Sequence, residues 1–95
     1  MEKKAYLQYW DESERGWGCR PDGISLHFSK EDAKTYVKEY WDRQPKGPAP
    51  DEYSRETGEP KLVIIPEDLY DRIKGNGVRI WQSDFRNIRN QIEGI

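Results

Sequence analysis

The sequence is poor in the residues that build covalent cross-links and metal sites. It contains one cysteine, Cys19, and one histidine, His27, among 95 residues. A single cysteine cannot form an intramolecular disulfide, and no cysteines or histidines recur at the spacing of a metal site. We therefore expect no disulfide framework, no metal centre and no cofactor.

Long hydrophobic runs are also lacking. No apolar stretch approaches the ~20 residues that a membrane-spanning helix needs. The opening residues, Met1 to Lys4, are not followed by the apolar core of a secretion signal. Together with the scarcity of cysteine, these features lead us to expect a cytoplasmic protein that does not act at membranes.

An excess of positive charge is the third feature that is lacking. Lysine and arginine together number 16 against 18 acidic residues, which gives a net charge of −2. Proteins that bind nucleic acid through its phosphates are usually basic. The sequence also has no P-loop and no glycine motif of a dinucleotide-binding fold. We therefore expect no nucleic-acid partner.

Aromatic residues are abundant. The chain has four Trp, six Tyr and two Phe, and these compensate for a hydrophobic content of only 34% because each ring buries a large area. The length predicts one domain over residues 1–95, since most domains have ~100–150 residues.

Hydrophobic periodicity predicts the elements of the first half. Residues 4–10 and 24–28 alternate with the period of half-buried strands, and turn residues separate them. Residues 29–43 form a helix, with Ser29 as N-cap. Its apolar stripe comprises Ala33, Tyr36, Val37, Tyr40 and Trp41. Residues 45–60 are polar and contain four of the six prolines, which predicts a long loop.

The second half predicts strand 61–65, a short helix from Pro66, strand 78–81 and a last helix. The apolar residues on both sides of 61–65 favour a central strand, or one that is covered on both faces. The predicted fold is α+β, a small mixed sheet of about four strands with helices packed on it. Its order is roughly β-β-α-loop-β-α-β-α.

Catalytic patterns are weak. Cys19 and His27 are the only residues able to form a thiolate and its base, but we expect His27 to be a surface imidazole on the polar side of its strand. Acidic residues such as Asp11 and the Asp51-Glu52 pair are not at a spacing that shows a shared site. We therefore expect a protein that is not an enzyme.

The strands predict a second, aromatic side of the sheet. If Leu7, Leu26, Ile64 and Ile80 face the helices, the opposite side carries a mixture of aromatic, polar and apolar residues. Such a surface is typical of an interaction site, unless the last helix or the long loop covers it as a second core layer. Its members would be Tyr6, Gln8, Trp10, Ser25, His27, Val63, Ile65, Arg79 and Trp81.

The functional hypothesis is a small protein-interaction module, such as an adaptor, regulator or inhibitor. Its partner is another protein or a second copy of the chain, because Trp, Tyr and Arg concentrate binding energy at interfaces. The alternative is a binder of a small anionic ligand or nucleotide that uses tryptophan stacking and arginine contacts, with a dimer interface as one location for the site. The candidate binding residues are Tyr6, Trp10, Trp17, His27, Tyr53, Arg79, Trp81, Arg86 and Arg89.

Overall fold

The computed structural model describes residues 2–14, 18–44 and 52–95. It confirms the α+β class and the order of the elements. Predictions about Trp17 and about residues 45–51 lie outside the described residues. The elements are β1 (Glu2–Glu14), β2 (Gly18–His27), α1 (Lys30–Asp42), β3 (Glu52–Pro66), α2 (Glu67–Tyr70), β4 (Val78–Ile80), α3 (Gln82–Ile88) and a 3-10 turn (Arg89–Gln91).

The four strands form one sheet in the order β3-β1-β2-β4, and each of the three pairings is antiparallel. The predicted hairpin of β1 and β2 is therefore at the centre. The interpretation of residues 61–65 as a central strand, or as one covered on both faces, is wrong, because β3 lies at an edge and Leu62 is exposed. Beyond β3, only an isolated bridge between Ile64 and Glu93 continues the pairing among the described residues.

One side of the sheet, here called the core face, packs against α2 and α3. Leu7 lies opposite Leu26, and Ile24 lies opposite Ile80, so these residues share that side as predicted. Leu69 of α2 and Phe85 of α3 complete the cluster, together with Ala5, Val63, Ile65, Ile73 and Ile92. The burial of apolar side chains in one cluster is the main source of stability in a small domain.

The predicted orientation of β3 is wrong. Val63 pairs with Ala5, and both are buried in the core cluster, so Val63 and Ile65 face α2 and α3 rather than the opposite side. Leu62, which pairs with Tyr6, is exposed instead. Residues 62–65 are all apolar, so their pattern does not distinguish one face from the other.

The predicted loop is wrong over residues 52–60. These residues extend β3 and pair with β1 as far as Glu14, so that three strands form a polar ribbon beyond the core. The ribbon contributes to an overall shape of 45 × 24 × 19 Å. Backbone hydrogen bonds to β1 hold residues 52–60 in the sheet. The segment therefore needs no alternation of apolar residues to form a strand.

A bulge in β3 is closed by the side chain of Gln8. The register moves from Leu7 opposite Lys61 to Tyr9 opposite Thr57, which leaves three residues of β3 opposite Gln8 alone. Gln8 Nε2 donates to the carbonyl oxygens of Thr57 and Gly58, each at 3.0 Å. The amide therefore binds carbonyl groups that the interrupted ladder cannot pair.

We expect Gln8→Leu to lower the free energy of unfolding by ~1–3 kcal/mol, because similar volume is kept while carbonyl groups lose their donor. Urea unfolding measures the change. Gln44→Leu is the control, since Gln44 Nε2 donates to one carbonyl near the end of α1. Equal losses in the two variants would contradict the structural role of Gln8.

Helix α1 confirms the predicted helix 29–43 to within one residue at each end. Ser29 Oγ accepts a hydrogen bond from the backbone nitrogen of Asp32 at 3.0 Å, as expected of an N-cap. Ala33 is fully buried, whereas Trp41 is 38% exposed and donates through Nε1 to Glu56 at 2.7 Å. Trp41 is thus not the core anchor that the apolar stripe indicated.

Candidate functional site

The aromatic face is the side of the sheet that carries Tyr6, Gln8, Trp10, Ser25, His27 and Arg79. The register places them together, since Tyr6 lies opposite His27, Gln8 opposite Ser25, and Ser25 opposite Arg79. The predicted shared side of β1, β2 and β4 is therefore confirmed. This face is not open, however, because α1 lies across it.

Two tyrosines of α1 cover part of the aromatic face. The rings of Tyr40 and Tyr36 contact Trp10 edge to face, with centroids 5.0 and 6.3 Å away, and Tyr36 is 5.1 Å from His27. Trp10 is consequently only 1% exposed. The sequence left open a second core layer made by the last helix or the long loop, and the structure forms such a layer with α1 instead.

Arg79 extends from the edge strand β4 between two tryptophan rings. Its guanidinium carbon lies 4.6 Å from the centroid of the Trp10 ring and 4.2 Å from that of Trp81. A guanidinium in this position is attracted by the negative faces of the rings. We call Trp10, Arg79 and Trp81 the stack.

Asp22 of β2 and Ser54 of β3 bind the guanidinium of Arg79, and the Asp22 carboxylate balances its charge. Nη2 donates to the backbone oxygen of Asp22 at 2.9 Å, to its carboxylate at 3.0 Å and to Ser54 Oγ at 3.4 Å. Ser54 Oγ also donates to the Asp22 carboxylate. Burial lowers the pKa of Arg79, although the neighbouring Asp22 carboxylate opposes the effect. The Nε atom is buried without a hydrogen-bond partner.

Tyr40 of α1 connects the helix to the surroundings of the Arg79–Asp22 ion pair. Its hydroxyl donates to the carbonyl oxygen of Ser54 at 2.7 Å and accepts from the backbone nitrogen of the same residue at 3.2 Å. The stack is therefore fixed by residues of α1, β1, β2, β3 and β4. Arg79, which these contacts hold in place, lies against the inner side of the Trp81 ring.

A second chain of hydrogen bonds runs beside the stack. Trp10 Nε1 donates to Ser25 Oγ at 2.8 Å, Ser25 Oγ lies 2.7 Å from His27 Nε2, and His27 Nδ1 lies 2.5 Å from the carbonyl oxygen of Asn76. A carbonyl only accepts, so His27 carries its proton on Nδ1, and Nε2 accepts from the Ser25 hydroxyl. When the imidazole is neutral, each donor in this chain of hydrogen bonds meets an acceptor.

The expected surface position of His27 is wrong, because the residue is fully buried. The strand is covered on both sides, so a polar residue on the alternate face is enclosed by α1. The loop after α2 also approaches closely, since a Cβ at Gly77 would lie 2.3 Å from His27 Nδ1. Glycine at this position lets the Asn76 carbonyl reach the ring.

The Ser25–His27 pair has the spacing of a nucleophile and its base, but both residues are fully buried. The Ser25 oxygen also holds the indole proton of Trp10. A substrate has no access to this hydroxyl, so the pair is a structural link. Cys19 and His27 are far apart on β2, since Cys19 pairs with Ser13 near one end of β1 and His27 with Tyr6 near the other.

Stability should fall as the pH is lowered through the histidine range. Burial lowers the pKa of His27 below 6.5, while the Asn76 carbonyl and the charge of Asp32 oppose the shift. The unfolded chain therefore binds the proton more readily than the folded one. The stabilising contribution is complete above pH ~6.5 and is lost as the pH falls through the lower pKa of the folded state.

Urea unfolding at pH 7.5 and pH 5.0 tests this dependence, because His27 is the only histidine. Around the ring, α1 presents Asp32 and Tyr36, β1 presents Tyr6, and β4 carries Arg79 on the same face. His27→Gln should be less stable at pH 7.5 and should show a weaker loss between the two pH values. An equal loss in both proteins would contradict the assignment.

The remaining candidate binding residues are dispersed. Tyr6 is half-buried, while Arg86 and Arg89 are exposed on α3 and the following turn. Arg89 lies 5.7 Å from the ring of Phe85. Within the described residues, the structure records no contact between these two arginines and the stack. Tyr53 lies in β3 opposite Ser13, and Trp17 lies outside the described residues.

Sequence reasoning missed Asp22, Ser54, Tyr36, Tyr40 and Asn76 as members of this site. Asp22 stands in a Pro-Asp-Gly sequence that is typical of a turn, whereas here it sits at a bulge of β2. The two tyrosines belonged to the apolar stripe of α1, so only their orientation toward Trp10 was unknown. Nothing in the local sequence of Ser54 indicates its contact with Arg79.

Among the described residues, the side chains of Trp81 and Trp41 are 53% and 38% exposed. A cavity of about 260 Å³ lies between α1 and the β3 bulge, lined by Gln8, Lys34, Val37, Lys38, Glu56, Gly58, Glu59 and Pro60. A second, of about 460 Å³, lies near the ends of β1 and β3 and is lined by Glu2, Ile64, Ile65, Pro66, Glu67, Asp68, Gln91 and Glu93.

Neither Arg79 nor Trp81 lines either of these two cavities. In the part of the chain that the structure describes, no three His, Cys, Asp or Glu side chains converge as metal ligands would. Over residues 2–14, 18–44 and 52–95, no helix combines the length and apolar character needed to cross a bilayer.

Comparison of the chain with models of protein families, with curated proteins and with solved structures found no significant match.

Proposed function

We propose that this chain is a small, non-enzymatic interaction module that binds another protein in the cytoplasm through the exposed ring of Trp81. Adaptor, regulator and inhibitor are all roles of this class. The observation that supports the proposal is the position of Trp81, which is 53% exposed while its inner face rests on the guanidinium of Arg79 at 4.2 Å. The free, exposed thiol of Cys19 is compatible with a reducing compartment.

The binding surface is thus smaller than the predicted aromatic surface. Trp10 and His27 are buried and support the surface from within, whereas Trp81 is available for contact. Tryptophan is the residue type most enriched at energetic hot spots of interfaces. A ring held on one side by a buried side chain loses little further freedom when a partner covers the other side, so more of the contact energy appears as affinity.

The alternative, a binder of a small anionic ligand, requires an available cation. The Arg79 guanidinium is enclosed by the two indoles and donates to Asp22 and Ser54. Arg86 and Arg89 are exposed but lie outside the stack. The protein-binding role therefore has the stronger support.

Photo-crosslinking tests the proposal in cells. A benzophenone amino acid at Ser83, which is exposed two residues after Trp81, should give a discrete adduct. The adduct should be lost when Trp81→Ser is added. It should remain with Trp41→Ser, which removes a different exposed tryptophan. An adduct of twice the 11.3 kDa chain mass that yields peptides of this chain alone would identify a second copy as the partner.

A benzophenone at Glu31, which is exposed at the start of α1, is the control for nonspecific capture. The proposal is contradicted if the Ser83 adduct persists in the Trp81→Ser variant. It is also contradicted if the Glu31 position yields the same adduct with the same efficiency.

A further inference from the structure

We propose that the open side of Trp81 binds an aromatic side chain of the protein partner and disfavours a cationic one. This inference rests on the proposed function, because it specifies which chemical group of the partner meets the exposed ring. The partner ring would become the fourth layer above Trp10, Arg79 and Trp81.

One side of the Trp81 indole already contacts a cation. Indole rings attract cations through the negative charge of their faces. At 4.2 Å, the guanidinium of Arg79 occupies the inner face of Trp81 and draws its electron density inward. The outer face is consequently a poorer acceptor for a second cation than a free indole would be.

The Arg79 guanidinium group is not fully hydrogen-bonded, although Asp22 forms an ion pair with it. Its contacts to Asp22 and Ser54 are made through Nη2, while Nε is buried without a partner. The side chain is 11% exposed, so water screens this charge weakly. A lysine or arginine placed over the outer face would be repelled through the ring.

An aromatic ring of the partner fits the outer face of Trp81 better than an aliphatic side chain or a nucleotide. An electron-rich ring is attracted to an indole that a cation polarises from the opposite side, and offset stacking adds to the contact. An aliphatic side chain gains only the burial of its surface. A nucleotide would bring phosphate toward a chain of net charge −2, with Asp84 exposed three residues after Trp81.

Small probes test this preference on the intact protein. N-acetyltyrosinamide, N-acetylleucinamide, tetramethylammonium chloride and adenosine monophosphate are titrated separately, with sodium chloride as the ionic-strength control for the two salts. The readout is the ¹H–¹⁵N signal of the Trp81 indole, which the Trp81→Leu variant identifies. The buried indole of Trp10 is the internal reference, because it donates to Ser25.

We expect N-acetyltyrosinamide to give a saturable shift at the Trp81 signal, with a dissociation constant at least about three-fold lower than those of the other probes. Arg79→Met should reduce the preference for the tyrosine probe over tetramethylammonium by at least about three-fold, because it removes the charge. Lys34→Met is the matched control for a lost cation elsewhere and should leave the order unchanged. Thermal unfolding of Arg79→Met establishes that the tested sample is folded.

Tetramethylammonium binding as tightly as the tyrosine probe would overturn the inference, and so would the absence of any saturable shift with that probe. Tighter binding of adenosine monophosphate would also overturn it, in favour of a nucleotide ligand. These outcomes differ from failure of the proposed function. A Ser83 adduct that depends on Trp81, together with the wrong order of probes, would retain the binding role and remove only the aromatic preference.

Discussion

Trp10→Ala should lower the free energy of unfolding by ~3–5 kcal/mol, whereas Trp81→Ser should change it by about 1 kcal/mol or less. The two tryptophans contact the same guanidinium but differ in burial, at 1% and 53% exposed. Removing Trp10 leaves a cavity between the sheet and α1, and it also takes the indole donor from Ser25. Removing Trp81 takes away one exposed ring and one cation–π contact.

Serine at position 81 has a compensating effect. Trp81 is the N-cap of α3 and makes no side-chain hydrogen bond to the helix, whereas serine is among the favoured N-cap residues. Urea unfolding of both variants measures the difference. Trp10→Phe is the control for ring volume and should lose less than Trp10→Ala. Similar losses for Trp10→Ala and Trp81→Ser would contradict the distinction between a supporting ring and a surface ring.

Arg79→Ala should lower the free energy of unfolding by about 3 kcal/mol, because it leaves the Asp22 carboxylate without its cation in a largely buried position. The side chains of Arg79 and Asp22 are 11% and 17% exposed. The substitution also removes the group between the two indoles. Arg86→Ala should have an effect within ~0.5 kcal/mol, since Arg86 is exposed on α3.

The double variant Arg79→Ala with Asp22→Ala separates the loss of the pair from the penalty on the remaining charge. It should be less destabilised than the sum of the two single variants, because neither charge is then left alone. Additive losses would show that the two side chains do not interact in solution. Chemical unfolding of the four proteins at one pH is the measurement.

Local patterns predicted the elements whose packing depends on nearby residues. The alternation at Leu7 and Leu26 identified strands with one buried side, and the Ser29 cap with Ala33 identified α1. The coincidence of Trp10 and Arg79 on one face followed from the alternation once the register was known.

Long-range pairing determined the parts that the sequence left undetermined. Residues 52–60 carry no strand alternation, yet they pair with β1 because the central hairpin offers them backbone partners. The contact of Asp22 with Arg79 spans 57 positions, and that of Ser54 with Arg79 spans 25. Nothing in the local sequence indicates that these polar residues enclose one cation between two rings.

The most direct test of the role of Trp81 measures stability and partner capture on one protein, Trp81→Ser with the benzophenone at Ser83. We expect an unfolding free energy within about 1 kcal/mol of the parent and roughly a ten-fold or greater loss of the Ser83 adduct. An adduct that persists in a folded Trp81→Ser protein would contradict the claim that Trp81 is the contact residue. A Trp81→Ser protein that no longer folds would contradict the claim that Trp10 and Arg79 keep their positions when Trp81 is absent.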